Sequence, residues 1–430
     1  MFNSFTTTNS TYGNFYKDIQ KKVKEDQEKQ KRLSNPNSNM ISTLRNPNNY
    51  HNTNNYNNYN NNSNNNNSNN NNSNNNRIRT PNMNLKDSSL VGSISCSLTG
   101  LQNLGNTCYI NACLQSLIHC TPFIAQFLEI SNQIFQKNTQ QSPISNEFYE
   151  LLIHIYENNN TEQTFVNPTN FVDKFISLHN QFYLNQEHDT QEFCRFFLQD
   201  LNCELNEVSS PSMYKKELPR QSKKEMFLNY KNDCLSKESS IITHLFIGYF
   251  SFEYNCECGY KEYSFSQFLD LPVQMNSGIN GYDLFQMLQD NFYRKSFVDM
   301  GENCSFCKRT SKKVEIMRVA SLPQILIISL QRINPKNGRK NNCMVRFYEG
   351  LNLREIIDAE ISDGSSTKYD LFAISNHVGD NINTGHYYSN IRIGNNWYCF
   401  EDSKVYKIGS KIEMTSNEVY TLFYTRNNSR

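Results

Sequence analysis

The chain has 430 residues, 37% of them hydrophobic, and a formal net charge of +1. Near-balance of charge argues against a nucleic-acid partner, and the absence of any apolar run of about 18 residues argues against a membrane span. The start, MFNSFTTTNSTYGNFYKDIQ, lacks the apolar core of a signal peptide. A monomeric intracellular protein, cytoplasmic or nuclear, is therefore expected. Thirteen cysteines, an odd number, fit reduced thiols, a metal site and one reactive thiol better than a disulfide framework.

Residues 1–97 are rich in Asn and Ser, with an asparagine tract from Asn54 to Asn76 interrupted only by Tyr56, Tyr59, Ser63, Ser68 and Ser73. Such a segment cannot bury enough apolar surface to fold and is expected to be disordered. Lys17 to Leu33 is rich in helix formers but lacks an apolar stripe, which reads as a solvated helix or, alternatively, one that docks on a partner. The folded domain is expected over residues 98–427.

That domain opens with GLQNLGNTCYINACLQSLIHC, Gly100 to Cys120. Gly105 and Asn106 supply a turn, and Ile110, Leu114, Leu117 and Ile118 form one buried stripe of a helix starting near Thr107. Cys108 falls in its first turn, where unpaired N–H groups and the positive end of the helix dipole favour a thiolate nucleophile. Cys113 and Cys120, further along, read as small buried hydrophobes.

Helical packing continues through NEFYELLIHIYENN, where Phe148, Leu151, Leu152 and Ile155 share a face, and His154 and His179 read as part of that packing. In the next helix Phe193, Phe197, Leu201 and Leu205 recur every four residues, and Asp189 with Glu192 fits a capping box. The polar interval from Asn202 to Ser240 reads as a surface insertion or long loop. Strand periodicity then takes over from His244 to Val273. Cys256 and Cys258 lie there, and Cys304 and Cys307 form a second pair. Two such pairs can hold a structural zinc with no open position for catalysis; free thiols are the alternative, since Cys-x-Cys is one residue short of the usual knuckle. Ser321 to Pro335 is apolar enough for a strand buried on both faces. Tyr369 to Tyr424 reads as successive strands carrying two candidate general bases, His377 and His386.

GLQNLGNTCYINACLQSL resembles the cysteine box of the ubiquitin-specific proteases, G-L-x-N-x-G-N-T-C-Y/F-x-N, and three later stretches resemble further boxes of that family in the same order. The resemblance implies Cys108 as nucleophile and Asn103 as the residue that stabilises the oxyanion. It implies that Asp189, in a stretch like the Q-Q-D-A-x-E-F box, meets an arginine of the ubiquitin tail; Glu187 and His188 stand where the family usually has glutamines. Gly385, His386 and Tyr387 match a G-H-Y box, making His386 the base and placing Tyr387 with the tail-binding residues. Where the family shows F-D-D or F-N-D, this chain has Phe400, Glu401 and Asp402, so either acid is a candidate to orient the imidazole, with Asp402 preferred. The fold implied is α+β and papain-like, with a helical lobe, a β-sheet lobe and a zinc-bearing extension of β fingers that grips ubiquitin. The implied function is a deubiquitinating thiol protease, without a catalytic cofactor, acting on ubiquitin and ubiquitylated proteins. Its rivals are a protease for another ubiquitin-like modifier and a catalytically silent ubiquitin-binding protein.

Overall fold

Helix-forming sequence fills the first half of the folded part and strand-forming sequence the second, and each builds its own core. The structure is a computed structural model, described over residues 88–135, 142–159, 164–209, 221–275, 281–298, 303–309, 313–334, 337–381 and 384–428. The asparagine tract and the helix expected over Lys17 to Leu33 lie outside those residues.

Ordered structure begins before the expected boundary at residue 98. Helix α1 (Ser88–Ser95) buries Leu90 and Ile94 against two helices of the first lobe, α3 (Thr121–Phe135) and α4 (Pro143–Asn158). Only two apolar residues anchor it, too few to reveal a period in a Ser-rich stretch. Between α1 and α3 lies α2 (Cys108–Ile118), every residue of which is buried. A helix buried all round belongs in a core, and α2 packs against both lobes, on α6 and on β13.

The helical lobe is held by aromatic side chains. Phe148 of α4 contacts Phe127 of α3 edge-on at 4.9 Å between ring centroids and Phe197 of α6 (Thr190–Glu204) at 5.0 Å. Phe175 of α5 (Thr169–Leu178) meets Phe193 of α6 at 4.8 Å. These edge-to-face geometries add to the burial of large rings. His179 ion-pairs with Asp200 at 2.6 Å, which keeps it within this packing, and His154 is exposed. The last residue of α6, Glu204, accepts the N–H groups of Ile144 and Ser145 at 3.0 and 2.7 Å, fastening one helix to the N-terminus of another.

The interval expected to be a surface insertion or loop contains helix α7 (Lys223–Leu235), started by a full capping box between Ser222 and Glu225. Phe227 and Tyr230 of α7 pack with Tyr249, Ile247 and Phe265. Lys223 is buried and reaches Asp358 at 2.6 Å and Glu253 at 3.3 Å. Its polar composition concealed this because the anchoring partners lie further along the chain, Glu253 in a strand and Asp358 in a loop.

After the short α8 (Ile241–Phe246) come two large sheets and a small one of three short strands. One is the finger sheet, ordered β4-β3-β8-β7, built from β3 (Gly248–Asn255), β4 (Lys261–Phe268), β7 (Arg294–Val298) and β8 (Lys313–Ser321), all antiparallel. The other large sheet has eight strands, ordered β15-β14-β13-β12-β17-β9-β5, ending on β5 (Leu271–Gln274), with β11 (Gly350–Asn352) also pairing β12. Its centre, β9 (Ile325–Gln331) and β17 (Val419–Arg426), is almost wholly buried, as the continuous apolar run predicts. Buried Arg332 follows β9 and donates to the carbonyls of Val419, Asn341, Cys343 and Ser416, stapling the neighbouring loops to the sheet. The site-bearing edge consists of β12 (Lys368–Asn381), β13 (Thr384–Ile393), β14 (Asn396–Glu401) and β15 (Lys404–Gly409). Among the described residues no helix is long and apolar enough to cross a membrane.

Candidate active site

The turn ahead of α2 is made by two consecutive left-handed residues, Gly105 (φ +100°) and Asn106 (φ +58°), the latter a residue type that tolerates this region. Asn103 organises it: its Oδ1 accepts the N–H groups of Gly105 and Thr107 at 2.9 and 3.2 Å. Cys108 is thereby set at the first position of the helix, 2% exposed. The backbone N–H groups of Tyr109 and of Tyr387, the residue after His386, lie beside its sulfur and favour its charged form.

Helix α2 and strand β13 are bound together directly. Ser389 of β13 donates to the Ala112 carbonyl at 2.6 Å and lies 3.2 Å from the Ser116 hydroxyl. Burial along β13 alternates, with Tyr387, Ser389 and Ile391 buried and His386, Tyr388 and Asn390 less so. Behind the histidine, His377 of β12 is fully buried, and a Cβ placed on Gly385 would strike its ring and the Val378 carbonyl. Only glycine fits there. The choice of His386 over His377 as the more accessible histidine has this steric basis: His377 is packed behind the strand, and burial beside Lys340 lowers its imidazole to about 4.

The two candidate acids are separated by backbone conformation. In the β13–β14 ladder Ser389 pairs with Phe400, so Glu401 is opposite Tyr388 and shares the face of His386. Its Oε1 is 3.5 Å from His386 Nε2. Asp402 lies past the strand end at φ +52°, which turns its carboxylate toward α2. There it accepts from Asn103 Nδ2 at 2.9 Å and Asn111 Nδ2 at 2.8 Å. The expectation preferred Asp402 beside the imidazole; in the structure Glu401 stands there, and Asp402 instead gathers the two asparagines. Asn111 had been given no role, although it is the final asparagine of the cysteine-box pattern and so was marked by the motif.

Burial pushes the Cys108 thiol up to about 11, helped by the charges of Asp402 and Glu187 and opposed by the two N–H donors. The helix N-terminus was expected to favour thiolate; here desolvation outweighs it, so the resting sulfur is a thiol. The same burial reaches Glu187, whose carboxyl is raised.

Asp189 caps α6, accepting from the N–H groups of Gln191 and Glu192 at 2.7 and 3.4 Å, and its second oxygen takes the Tyr420 hydroxyl. Tyr387 is 1% exposed, its ring 4.5 Å from that of His377, so only its backbone lines the cleft.

At the fingertip the four expected cysteines converge, their sulfurs all within 4.8 Å of one another. Cys256 Sγ is 3.8 Å from Cys307 Sγ, and Cys258 Sγ is 3.8 Å from Cys304 Sγ. Sulfurs about 2.3 Å from one zinc at tetrahedral angles would stand about 3.8 Å apart, so the cluster has the dimensions of a zinc site. The short Cys-x-Cys turn closes because Gly259 adopts φ +86° and donates to the Cys256 carbonyl at 2.9 Å.

A family model described as ubiquitin carboxyl-terminal hydrolase matches residues 99–424. Ubiquitin carboxyl-terminal hydrolase Usp2 of Drosophila melanogaster is 28% identical over 334 residues, covering 76% of this chain and 35% of that protein. Probable ubiquitin carboxyl-terminal hydrolase 4 of Schizosaccharomyces pombe is 27% identical over 352 residues, covering 76% and 58%. Ubiquitin carboxyl-terminal hydrolase 2 of Rattus norvegicus is 28% identical over 344 residues, covering 76% and 54%. The match thus spans roughly a third to three fifths of these relatives' lengths. Among solved structures, Ubp8 in a SAGA DUB module bound to ubiquitin aldehyde superposes with a TM-score of 0.60 at 23% identity, over 79% of this chain and 71% of that one. The Ubp8-Sgf11-Sgf73-Sus1 module gives 0.56 at 22%, over 78% and 68%. At these identities the structural likeness establishes the fold, α+β with helical lobe, sheet and fingers.

Proposed function

The chain belongs to the ubiquitin carboxyl-terminal hydrolase family, and on that premise we propose that it is a deubiquitinating thiol protease, cleaving the isopeptide or peptide bond after the C-terminal glycine of ubiquitin. The observation that carries this reading is the direct fastening of α2, which opens with Cys108, to β13, which bears His386, through the Ser389 hydroxyl and the Ala112 carbonyl at 2.6 Å. A thiol held against the strand that bears a half-buried histidine is the arrangement nucleophilic acyl transfer needs.

In the proposed reaction, His386 takes the Cys108 proton as the sulfur attacks the carbonyl. The negative charge moves to the carbonyl oxygen, where the second amide hydrogen of Asn103 and the N–H groups at the start of α2 receive it. Asp402 acts through the asparagines: by accepting one hydrogen from Asn103 it aims the other at the oxyanion. Glu401 supports the imidazolium. His386 then protonates the departing lysine amine, and later activates the water that releases ubiquitin from the sulfur. Asp189, with lone pairs left beyond its bonds to Gln191 and Tyr420, would receive the cationic side chain of the tail. The sulfurs of Cys256, Cys258, Cys304 and Cys307 would hold a structural zinc; when bound it would fix the fingertip and leave the chemistry to the cleft.

The test is release of aminocoumarin from the C-terminus of ubiquitin, compared with the same fluorophore on other ubiquitin-like modifiers. Release from ubiquitin that disappears in Cys108→Ala and His386→Ala supports the proposal. Faster release from another modifier moves the substrate class, and binding of ubiquitin without release by the intact chain contradicts hydrolysis.

A further inference from the structure

Asp189, the cap of α6, is held from both lobes. On the helix side its Oδ1 accepts the N–H groups of Gln191 and Glu192. Gln191 is fixed in turn, its side-chain amide donating to Asp270, the residue before β5, at 2.6 Å and its side-chain carbonyl accepting from Gln331, the last residue of β9, at 3.1 Å. Arg195 braces Asp270 with two bonds, at 2.8 and 3.0 Å. On the sheet side stands Tyr420, the second residue of β17, whose hydroxyl donates to the other oxygen, Asp189 Oδ2. Tyr420 is 2% exposed and its ring packs edge-on against that of Tyr387, at 5.6 Å between centroids. The carbonyl of Val419, one residue earlier, accepts from buried Arg332 at 2.6 Å, so the backbone that carries the tyrosine is pinned as well. Burial raises the Asp189 carboxyl, and the Tyr420 hydroxyl is foremost among the donors that oppose the rise.

We infer that Tyr420 is a positioning residue for substrate recognition: its hydroxyl fixes the plane of the Asp189 carboxylate, which is thereby oriented in advance for a cationic side chain of the ubiquitin tail. This rests on the proposed reading of Asp189 as the receiver of that side chain. The capping N–H groups hold Oδ1 alone, and a carboxylate tied through one oxygen still turns about its Cβ–Cγ bond. Tied through both, it loses less freedom when the cation arrives, and a charge-assisted bond depends on that geometry. Specificity for a cationic tail is then shared between a helix cap and a hydroxyl 231 positions further along the chain.

The test is equilibrium binding of the full chain to free ubiquitin and to ubiquitin whose tail arginine is replaced by alanine, measured by calorimetry for the intact chain, Tyr420→Phe and Asp189→Asn. Hydrolysis plays no part in it, so an inactive chain leaves the test standing. Tyr420→Phe removes one oxygen and keeps the ring packing. The intact chain should prefer the arginine tail about tenfold, Tyr420→Phe about threefold and Asp189→Asn not at all. Affinity for the alanine-tailed ubiquitin should be the same in Tyr420→Phe as in the intact chain, which separates orientation of the acid from general support of the cleft. Equal weakening toward both ubiquitins overturns the inference. So does an undiminished preference in Tyr420→Phe, and a larger one would show that the hydroxyl competes with the arginine. If Asp189→Asn also keeps the preference, the reading of Asp189 fails together with the inference; if only Tyr420→Phe keeps it, that reading stands and the inference alone falls. An intact chain that binds neither ubiquitin contradicts both.

Discussion

The cleft and the fingertip both lie where strands end, yet they are held in opposite ways. The cleft is backed by core: His377, Tyr387 and Ser389 are each at most 1% exposed, and glycine at 385 lets one strand lie directly on the ring behind it. At the fingertip Phe306 is 71% exposed, stacked on Tyr260 at 5.6 Å, and little apolar burial supports the turns. Four sulfurs do that work instead. The geometry of the cleft is a property of the folded chain, while that of the tip rests on four sulfurs and on the zinc they are proposed to hold.

The sharpest cut on the cleft side is Cys108→Ala. It should lower kcat/KM on ubiquitin–aminocoumarin by at least about 10³-fold while leaving hydrogen exchange in the finger strands unchanged. Next is Asp402→Ala, which takes the acceptor from the Asn103 amide and leaves Asn111 with only the Leu101 and Gln102 carbonyls; a misaimed oxyanion contact should cost about 10²-fold, in kcat rather than KM. On the finger side, Cys304→Ser or a strong chelator should remove one zinc per chain, speed exchange at the ends of β3 and β8, and raise KM about tenfold with kcat little altered. Alkylation of Cys108 should not notice the loss; if it does, the two regions are coupled and the contrast fails. The smallest effect is expected from Glu401→Gln, about threefold in kcat/KM, since the amide that replaces the carboxylate 3.5 Å from His386 keeps the shape and loses the charge. A larger loss from Glu401→Gln than from Asp402→Ala would show that the acids serve the imidazole before the asparagines.

What was legible in the sequence was mostly local. The spacing of Ile110, Leu114 and Leu117 and the Gly105–Asn106 turn are visible within twenty residues, and together they put Cys108 at a helix mouth. The apolar run of β9 announced a buried strand, and the close cysteine pairs announced the tip. The partition of Glu401 and Asp402 was not legible, because it depends on one left-handed residue at a strand end and on amides 299 and 291 positions away. Docking of α7 was hidden for a similar reason: Lys223 is buried only because Asp358 and Glu253 wait for it. The elevated thiol was missed because helix-terminus electrostatics are readable from position, whereas desolvation depends on the lobes that close around it.

The most direct measurement of the central claim is reaction of the purified chain with ubiquitin bearing an electrophile at its C-terminus, followed by mass spectrometry of the adduct. The account predicts one ubiquitin per chain, linked to Cys108 and absent in Cys108→Ala. An adduct on another cysteine, or none from a chain that still binds ubiquitin, would contradict it.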